Sequence, residues 1–523
     1  MEEETTKSSR EIRPPTMLDA LIPILSLIIL LGGAIYLYGD EGITGPTQVA
    51  LMLCAVIAGL IGLKNGHRWA DMGHAAVEGI STALGAIFIL LAVGALVGTW
   101  MMSGTIATIV HLGVQWLNPN WYYLACVIIC ALLALSIGSS WTVVGTLGVG
   151  LIGIANALGV SPEITAGAVI SGSYFGDKMS PLSETTNLAP AVAGTDLFTH
   201  IKGMMWTAVP SIIIASLIFA IIGLNTAPQV PLDLTEVLVI IETIFNIGLL
   251  TLIPLLVVLI MSLRKMPAFP TILTGALVGG LMAVILQPEV VTEFVNDPSL
   301  STPLTMIKGV WSAMATGFMI DTGYEGLDTL FSRGGMVSML TTVWLIISAM
   351  AFGGVLEYTG LLSRLLQPIV NAAKSDKSLV AAAGLTSIGM NIVAGDQYMA
   401  IVLPGRMFRE LFQERNIAPE TLSRELEDTG TITSPLIPWN SCGAYMSATL
   451  GIATIAYLPF SFFNLINVVI SFAYALFGFQ IRYIEPGVEP SPAPEQVTLY
   501  GVGNRRAEPT TPEPARPELG ISE

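Results

Sequence analysis

Residues Gly172–Pro190 read GSYFGDKMSPLSETTNLAP. Long apolar runs flank the stretch, yet it carries Asp177, Lys178, Glu184, Asn187, six hydroxyl side chains and two prolines. A membrane helix does not run intact through such a composition. Proline removes a backbone donor, and a charge at mid-bilayer costs about 2.5–3.5 kcal/mol or more. Open backbone at that depth is tolerated only where protein or water surrounds it. A polar loop between two helices is the simpler alternative. Against it stands a second copy: Thr433–Ser441 reads TSPLIPWNS and repeats the Ser180-Pro181-Leu182 step at Ser434-Pro435-Leu436, again inside an apolar run.

The 523-residue chain is 53% hydrophobic and 11% charged, with a mean hydropathy of +0.72. Soluble domains average roughly 25% charged residues, and many segments here exceed the ~20 apolar residues that cross a bilayer. The composition therefore specifies an all-α polytopic membrane protein. Met17–Tyr38 is too long for a signal-peptide core and reads as a retained span. Much of the net charge of −16 lies in an acidic linker, Glu289–Asp328, and in the C-terminal tail, so it implies neither a basic partner nor nucleic acid. Cys126 and Cys130 share one helical face without a neighbouring His or second Cys pair, which fits helix packing better than a metal pair.

Lys and Arg sort the loops by the positive-inside rule. Arg10 and Arg13 before Met17–Tyr38, and Lys64 and Arg68 after Thr47–Leu63, place both flanks in the cytoplasm. Residues 65–80 read as an amphipathic surface helix, and a third span, Thr82–Val110, runs outward. Trp121–Val160 breaks at Ser136–Thr142 and is either two spans or a re-entrant hairpin. The broken segment Pro162–Thr195 and the spans Met204–Leu224, Val237–Leu263 and Phe269–Leu286 follow. The acidic linker 289–336 is expected outside, with a partial helix over Met306–Ile320. The second half holds the span Met336–Tyr358, a stretch Leu379–Leu403 broken at Ser387–Asp396, a charged segment Arg406–Asp428, a broken segment Thr429–Ala456 and a last span, Leu458–Phe479. The tail from Glu485 has almost no apolar residues and reads as a disordered cytoplasmic extension.

The halves match in order: Trp100–Gly104 with Leu356–Gly360, Ser136–Gly138 with Ser387–Gly389, Pro162-Glu163 with Pro419-Glu420, then the Ser-Pro-Leu steps. A repeated order at a nearly constant offset signals an internal repeat. Basic residues precede the span ending near Val110 but follow its counterpart Met336–Tyr358, so the copies are inverted, an arrangement that places a binding site near the midplane. The expected fold is two inverted repeats, each with a re-entrant hairpin and a broken helix, in about 10 full spans plus 2 hairpins. The expected divisions are a cytoplasmic leader (1–16), two spans and a surface helix (17–81), a first repeat (82–224), connecting spans and external linker (225–335), a second repeat (336–480) and a tail (481–523).

Unwound helix ends and side-chain oxygens hold small cations. The first break offers Asp177, Ser180, Ser183, Glu184, Thr185 and Asn187; the second offers Thr433, Ser434, Asn440 and Ser441. The hairpin tips offer Ser139, Ser140 and Thr142 from one half, and Asn391 and Asp396 from the other. Asp177, Glu184 and Asp396 stand out because a carboxylate holds either Na+ or H+. A Na+ site built from Asp177, Asp396, Asn187 and Ser180 is the resulting expectation. Each acid also has a structural alternative: Asp177 pairing with Lys178, Glu184 opening a half-helix, Asp396 capping a hairpin leg. Glu357 reads as a snorkelling residue and His200, beside Lys202, as an interfacial one. Ser139 and Ser140 lack a convincing His partner in sequence, which argues against an intramembrane hydrolase.

SGSYFGDKMSPLSETTNLAP, with SIGSSWTVVGTLGVGL upstream and HIKGMMWTAVPS downstream, resembles the NhaC family of sodium/proton antiporters. GDQYMAIVLPGRMFRE, LSRELEDTGTITSPLIPWNSCGAY and YLPFSFFN in the second half look like the same family. The similarity runs from about residue 20 to 480 and leaves out the leader and the tail. It implies the ion-transporter superfamily fold, and Na+ export coupled to H+ uptake across a bacterial or archaeal inner membrane. The loop charges and the tail composition place both termini in the cytoplasm; the expectation is completed by no cofactor beyond the transported Na+ and H+, the lipid bilayer as surroundings, and compatibility with a homo-oligomer. Related members exchange small organic acids, such as malate for lactate, with Na+ and H+ moving as well, so a Na+-coupled carboxylate or amino-acid exchanger is the alternative.

Overall fold

The computed structural model describes residues 12–38, 45–225, 234–321, 328 and 331–484. Most of the leader, the tail from Glu485 and parts of the loops after Asn225 and Asp321 lie outside the described residues. The described chain is helical, with one isolated β-bridge between Ile417 and Tyr483. Nine of its helices are long and apolar enough to cross a membrane, and up to eleven when each bent pair counts as one span.

Left-handed residues punctuate both halves in one register. Gly104, Gly138, Gly159 and Gly194 have φ of 72°, 76°, 65° and 91°, and Gly360, Gly395, Asn416 and Gly451 have 71°, 68°, 55° and 71°. The first pair lies 256 positions apart and the other three 257. Glycine occupies all but one of these sites because a Cβ disfavours positive φ. In each half a span (Leu84–Met102; Met336–Tyr358) turns into a shorter helix (Thr105–Trp116; Leu361–Ala372). A hairpin follows: Tyr122–Ile137 with Ser140–Leu158 in the first half, and Asp376–Ala394 with Gln397–Glu414 in the second. Next come a helix opened by proline (Pro162–Met179; Pro419–Leu426), a break, and a second half-helix (Glu184–Ala193; Ser441–Leu450).

This register corrects two of the matches read from sequence. Gly138 is equivalent to Gly395, so Ser387–Gly389 lies inside a hairpin leg rather than at its tip. Ser183 and Asn440 both cap the half-helix after the break, which pairs Ser180-Pro181 with Ile437-Pro438 and leaves the two Ser-Pro-Leu steps three residues out of register. Other boundaries move for local reasons. The third span ends at Met102, because Gly104 turns the chain before Thr105. Val237–Leu263 is bent by 84° around Asn246–Gly248.

Glycines set the close approaches. A side chain on Gly79 of the helix Trp69–Thr82 would strike the Met350 carbonyl and the Gly354 Cα, so this helix packs one face on the span Met336–Tyr358. Small residues let helix backbones touch in this way in membranes. The linker helix starts earlier than expected, at Thr302, and ends at Thr316. The chain beyond it folds back on the Leu84–Met102 span, where the Gly335 amide donates to the Gly94 carbonyl at 2.7 Å.

Candidate ion-binding site

Each hairpin tip is pressed onto the break of its own repeat. At Gly138 a Cβ would collide with Leu182 and the Ser183 amide nitrogen, so the first tip sits against the first break. Ser139 caps the returning leg by accepting from the Thr142 amide. Ser140 donates through both its amide (2.9 Å) and its hydroxyl (2.6 Å) to Asp177 Oδ2. In the second repeat the Ser441 amide donates to the Gly395 carbonyl at 2.8 Å. Asp396 caps its leg, accepting from the Tyr398 amide at 2.9 Å and the Met399 amide at 3.1 Å, and the Ser441 hydroxyl donates to it at 3.3 Å.

Most of the other oxygens singled out in the sequence brace the breaks. Asn187 donates to the Pro181 and Ser183 carbonyls at 2.9 and 2.7 Å. The Ser180 hydroxyl accepts from the Leu182 amide at 3.3 Å. Asn391 donates to the Gly430 carbonyl and to the Thr433 hydroxyl, while Asn440 donates to Asn391 Oδ1 at 3.0 Å. Ser434 donates to the Thr431 carbonyl at 2.6 Å and lies 3.4 Å from Gln397 Oε1. That last contact is the symmetry counterpart of Asp177 and Ser140. Asp177 and Asp396 are each held within their own repeat, and no hydrogen bond joins them. Asp177 does not pair with Lys178 either, since Lys178 reaches a different acid.

Aromatic side chains at equivalent positions link the halves. Trp141 stacks on Tyr445 with ring centroids 4.0 Å apart, and the Tyr445 hydroxyl donates to the Trp141 carbonyl at 2.8 Å. Tyr398 donates its hydroxyl to the exposed Glu184 at 2.5 Å. Each hairpin thus touches the half-helix after the other repeat's break.

A third group of charges joins Lys178 to acids of the segment Arg406–Asp428, none of which the sequence marked as ion ligands. Lys178 Nζ lies 2.7 Å from Asp428 Oδ1, and both side chains are fully buried. Glu425 and Glu427 are fully buried beside them, and Arg424 is nearly so. Thr207 donates to Asp428 Oδ1 at 2.9 Å, and the Ser471 hydroxyl lies 2.9 and 3.0 Å from Glu425 Oε2 and Asp428 Oδ2, sharing its one proton between them. His200, expected at the interface, is buried, with Nδ1 2.8 Å from the Ser423 hydroxyl. The charged segment Arg406–Asp428 is not a cytoplasmic loop throughout: the second broken helix begins at Pro419 and carries the acids inward. The Pro162-Glu163 and Pro419-Glu420 match was the available signal, since it places both helix starts at one repeat position. Desolvating two ions is repaid only by good geometry and further hydrogen bonds; Asp428 has such bonds, from Thr207, Asn467 and Ser471, whereas Lys178 Nζ has the ion pair alone.

Among the described residues no three His, Cys, Asp or Glu side chains converge as a metal site. The tip–break joints instead combine one carboxylate with hydroxyls and helix-end carbonyls. Paired hairpins, paired broken helices and buried ionisable groups between them define a secondary transporter. A family model described as the Na+/H+ antiporter family matches residues 172–479, and one described as a C4-dicarboxylate anaerobic carrier matches residues 1–226. The chain is 38% identical to the Na+/H+ antiporter NhaC of Alkalihalophilus pseudofirmus, over 83% of this chain and 90% of that one. It is 31% identical to the malate-2H+/Na+-lactate antiporter of Bacillus subtilis, over 91% and 97% of the two chains. It is also 31% identical to the arginine/ornithine antiporter ArcD of Halobacterium salinarum, over 91% and 95%. The chain belongs to the NhaC-type Na+/H+ antiporter family.

Proposed function

We propose that this protein exports cytoplasmic Na+ in exchange for external H+ by alternating access across the cell membrane. Family membership supports the cargo. The observation that carries the mechanism is the pair of tip–break joints, each holding one carboxylate against a hydroxyl: Asp177 with Ser140, and Asp396 with Ser441. A carboxylate at the end of an unwound helix offers a small cation a charge and adjacent carbonyl oxygens. Asp177 is the better Na+ anchor, because Ser140 engages only Oδ2 and Oδ1 accepts no hydrogen bond. Asn187, Asn391 and Asn440 hold the breaks open, while Ser180 and Ser434 set their edges.

Both termini are cytoplasmic in this proposal, residues 82–224 and 336–480 are the moving repeats, and the segment from 481 is a cytoplasmic tail. Exchange of a small carboxylate or an amino acid is the second reading, favoured by the two exchangers among the relatives. Purified protein in liposomes with an imposed pH gradient separates the two. Dissipation of the gradient by added Na+ alone is the expected result. Dissipation only when malate, lactate or arginine is also supplied replaces it with the second reading.

A further inference from the structure

Five fully or almost fully buried charged side chains meet where the two broken helices cross: Lys178, Arg424, Glu425, Glu427 and Asp428. Fully ionised, they hold three negative and two positive charges. A buried charge without a partner costs several kcal/mol, so the group requires one further positive charge. The three acids differ in what already engages them. Asp428 is ion-paired with Lys178 and accepts from Thr207 and Ser471. Glu425 accepts from Ser471 at Oε2, and its Oε1, also buried without a hydrogen-bond partner, lies against Gly384 and away from the first break. Glu427 reaches the half-helix after the first break: Oε1 accepts from the Thr185 hydroxyl at 2.9 Å, while Oε2 is buried without a hydrogen-bond partner. The Thr431 hydroxyl, also buried and unpartnered, stands one turn further on. Both lie in a π-helical turn, Glu427–Thr431, a distortion frequent at functional sites.

We propose that Glu427 is the proton-binding residue of the exchange cycle, separate from the Na+ anchors at the hairpin tips. Protonation turns its carboxylate into an acid whose O–H has the open Thr431 oxygen as acceptor. It removes the unmatched negative charge and needs no other reactant. Ser183 Oγ lies 3.2 Å from Thr185 Oγ1, so two hydroxyls connect the first break to Glu427. That chain is a route by which a proton enters from the break. The charged and titratable neighbours are Asp177 and Lys178 on the first broken helix, Arg424, Glu425 and Asp428 on the second, and His200 on Leu197–Asn225. The last helix, Phe462–Phe477, contributes only neutral groups, Asn464, Asn467 and Ser471.

The inference rests on the antiport proposal, and the test separates the two. Full-length protein in liposomes is assayed for Na+-driven proton movement and for 22Na+/Na+ counterflow, which uses the Na+ site without net proton transfer. Absence of Na+-driven proton movement in the parent protein refutes antiport itself. Given parent activity, Glu427→Gln is expected to lose proton movement to the level of protein-free liposomes while keeping counterflow. Asp177→Asn is expected to lose both. Retention of proton movement by Glu427→Gln with an unchanged pH profile overturns the proposal, and so does loss of both activities in a protein that inserts and elutes normally. Should Glu427→Gln fail to insert, Thr185→Val decides: slower proton movement with parental counterflow supports the route, and parental rates in both overturn it.

Discussion

The two tip–break joints share a backbone and divide their chemistry. In the first, the carboxylate sits on the broken helix and the hydroxyl on the hairpin, as Asp177 and Ser140. In the second the order is reversed, with Asp396 on the hairpin and Ser441 on the broken helix. Ser139 and Asp396 occupy the same repeat position and both cap a helix, yet only one carries charge. The helices before the breaks also differ. Pro162–Met179 is regular to its end, whereas the second passes from Pro419–Leu426 into a π-helical turn lined with acids. Duplication thus preserved caps, turns and close contacts, which the backbone requires, and left ionisable positions free to diverge.

The largest expected effect breaks this division at its crossing point. Lys178→Met leaves Asp428, Glu425 and Glu427 facing Arg424 alone. Loss of one partner from a buried pair costs about 3–5 kcal/mol, so the thermal midpoint in detergent should fall steeply. Lys178→Met with Asp428→Asn should recover most of that loss. A single variant as stable as the parent contradicts the pairing.

The glycines of the two tips come next. Alanine at either position meets the left-handed penalty of about 1–2 kcal/mol. At Gly138 it also meets the Leu182 and Ser183 backbone, whereas at Gly395 its nearest neighbours are the Trp439 carbonyl oxygen at 3.2 Å and the Ala349 side chain at 3.3 Å. Gly138→Ala should therefore be the more damaging of the pair by thermal unfolding, and equal effects would show that the first tip is less tightly docked. The caps give a smaller step. Ser139→Ala and Asp396→Ala should each cost about 1 kcal/mol, and Asp396→Asn almost nothing, because asparagine caps as well as aspartate. On the functional side the two positions part: Asp396→Asn should lose transport, whereas Ser139→Ala keeps it.

The smallest effect lies in the linker between the repeats, which takes no part in the comparison. Lys308 and the Ser299 groups hold the Asp297 carboxyl down, to about 2. A lowered carboxyl stabilises the fold above its ordinary range and loses that contribution as pH falls toward the lowered value. Lys308→Ala should accordingly leave stability unchanged between about pH 6 and 9, because exposed pairs contribute little.

The broken helices and the duplication were legible in the sequence because proline, glycine and buried polar groups are costly in a bilayer and stand out against apolar runs. The register was harder to read. Ser-Pro-Leu repeats by letter at Ser180 and Ser434, but the caps Ser183 and Asn440, different residue types doing one job, carry the true correspondence. The charged crossing was missed for a related reason. Arg424, Glu425, Glu427 and Asp428 look like a solvated loop until Lys178, almost 250 positions earlier, is brought against them. Helical periodicity reports neighbours within one element and is silent about such a partner.

Inversion of the two copies is the central claim, and equivalent positions test it directly. Asn118 and Ser375 are both exposed caps at the entrance to a hairpin, 257 positions apart. Single cysteines replacing them, in a background with the four native cysteines substituted, are treated with a membrane-impermeant maleimide on intact cells and then after permeabilisation. Labelling of Asn118→Cys from outside, and of Ser375→Cys only after permeabilisation, is the predicted result. Labelling of both from the same side would contradict the inverted repeat, and with it the alternating-access mechanism built on it.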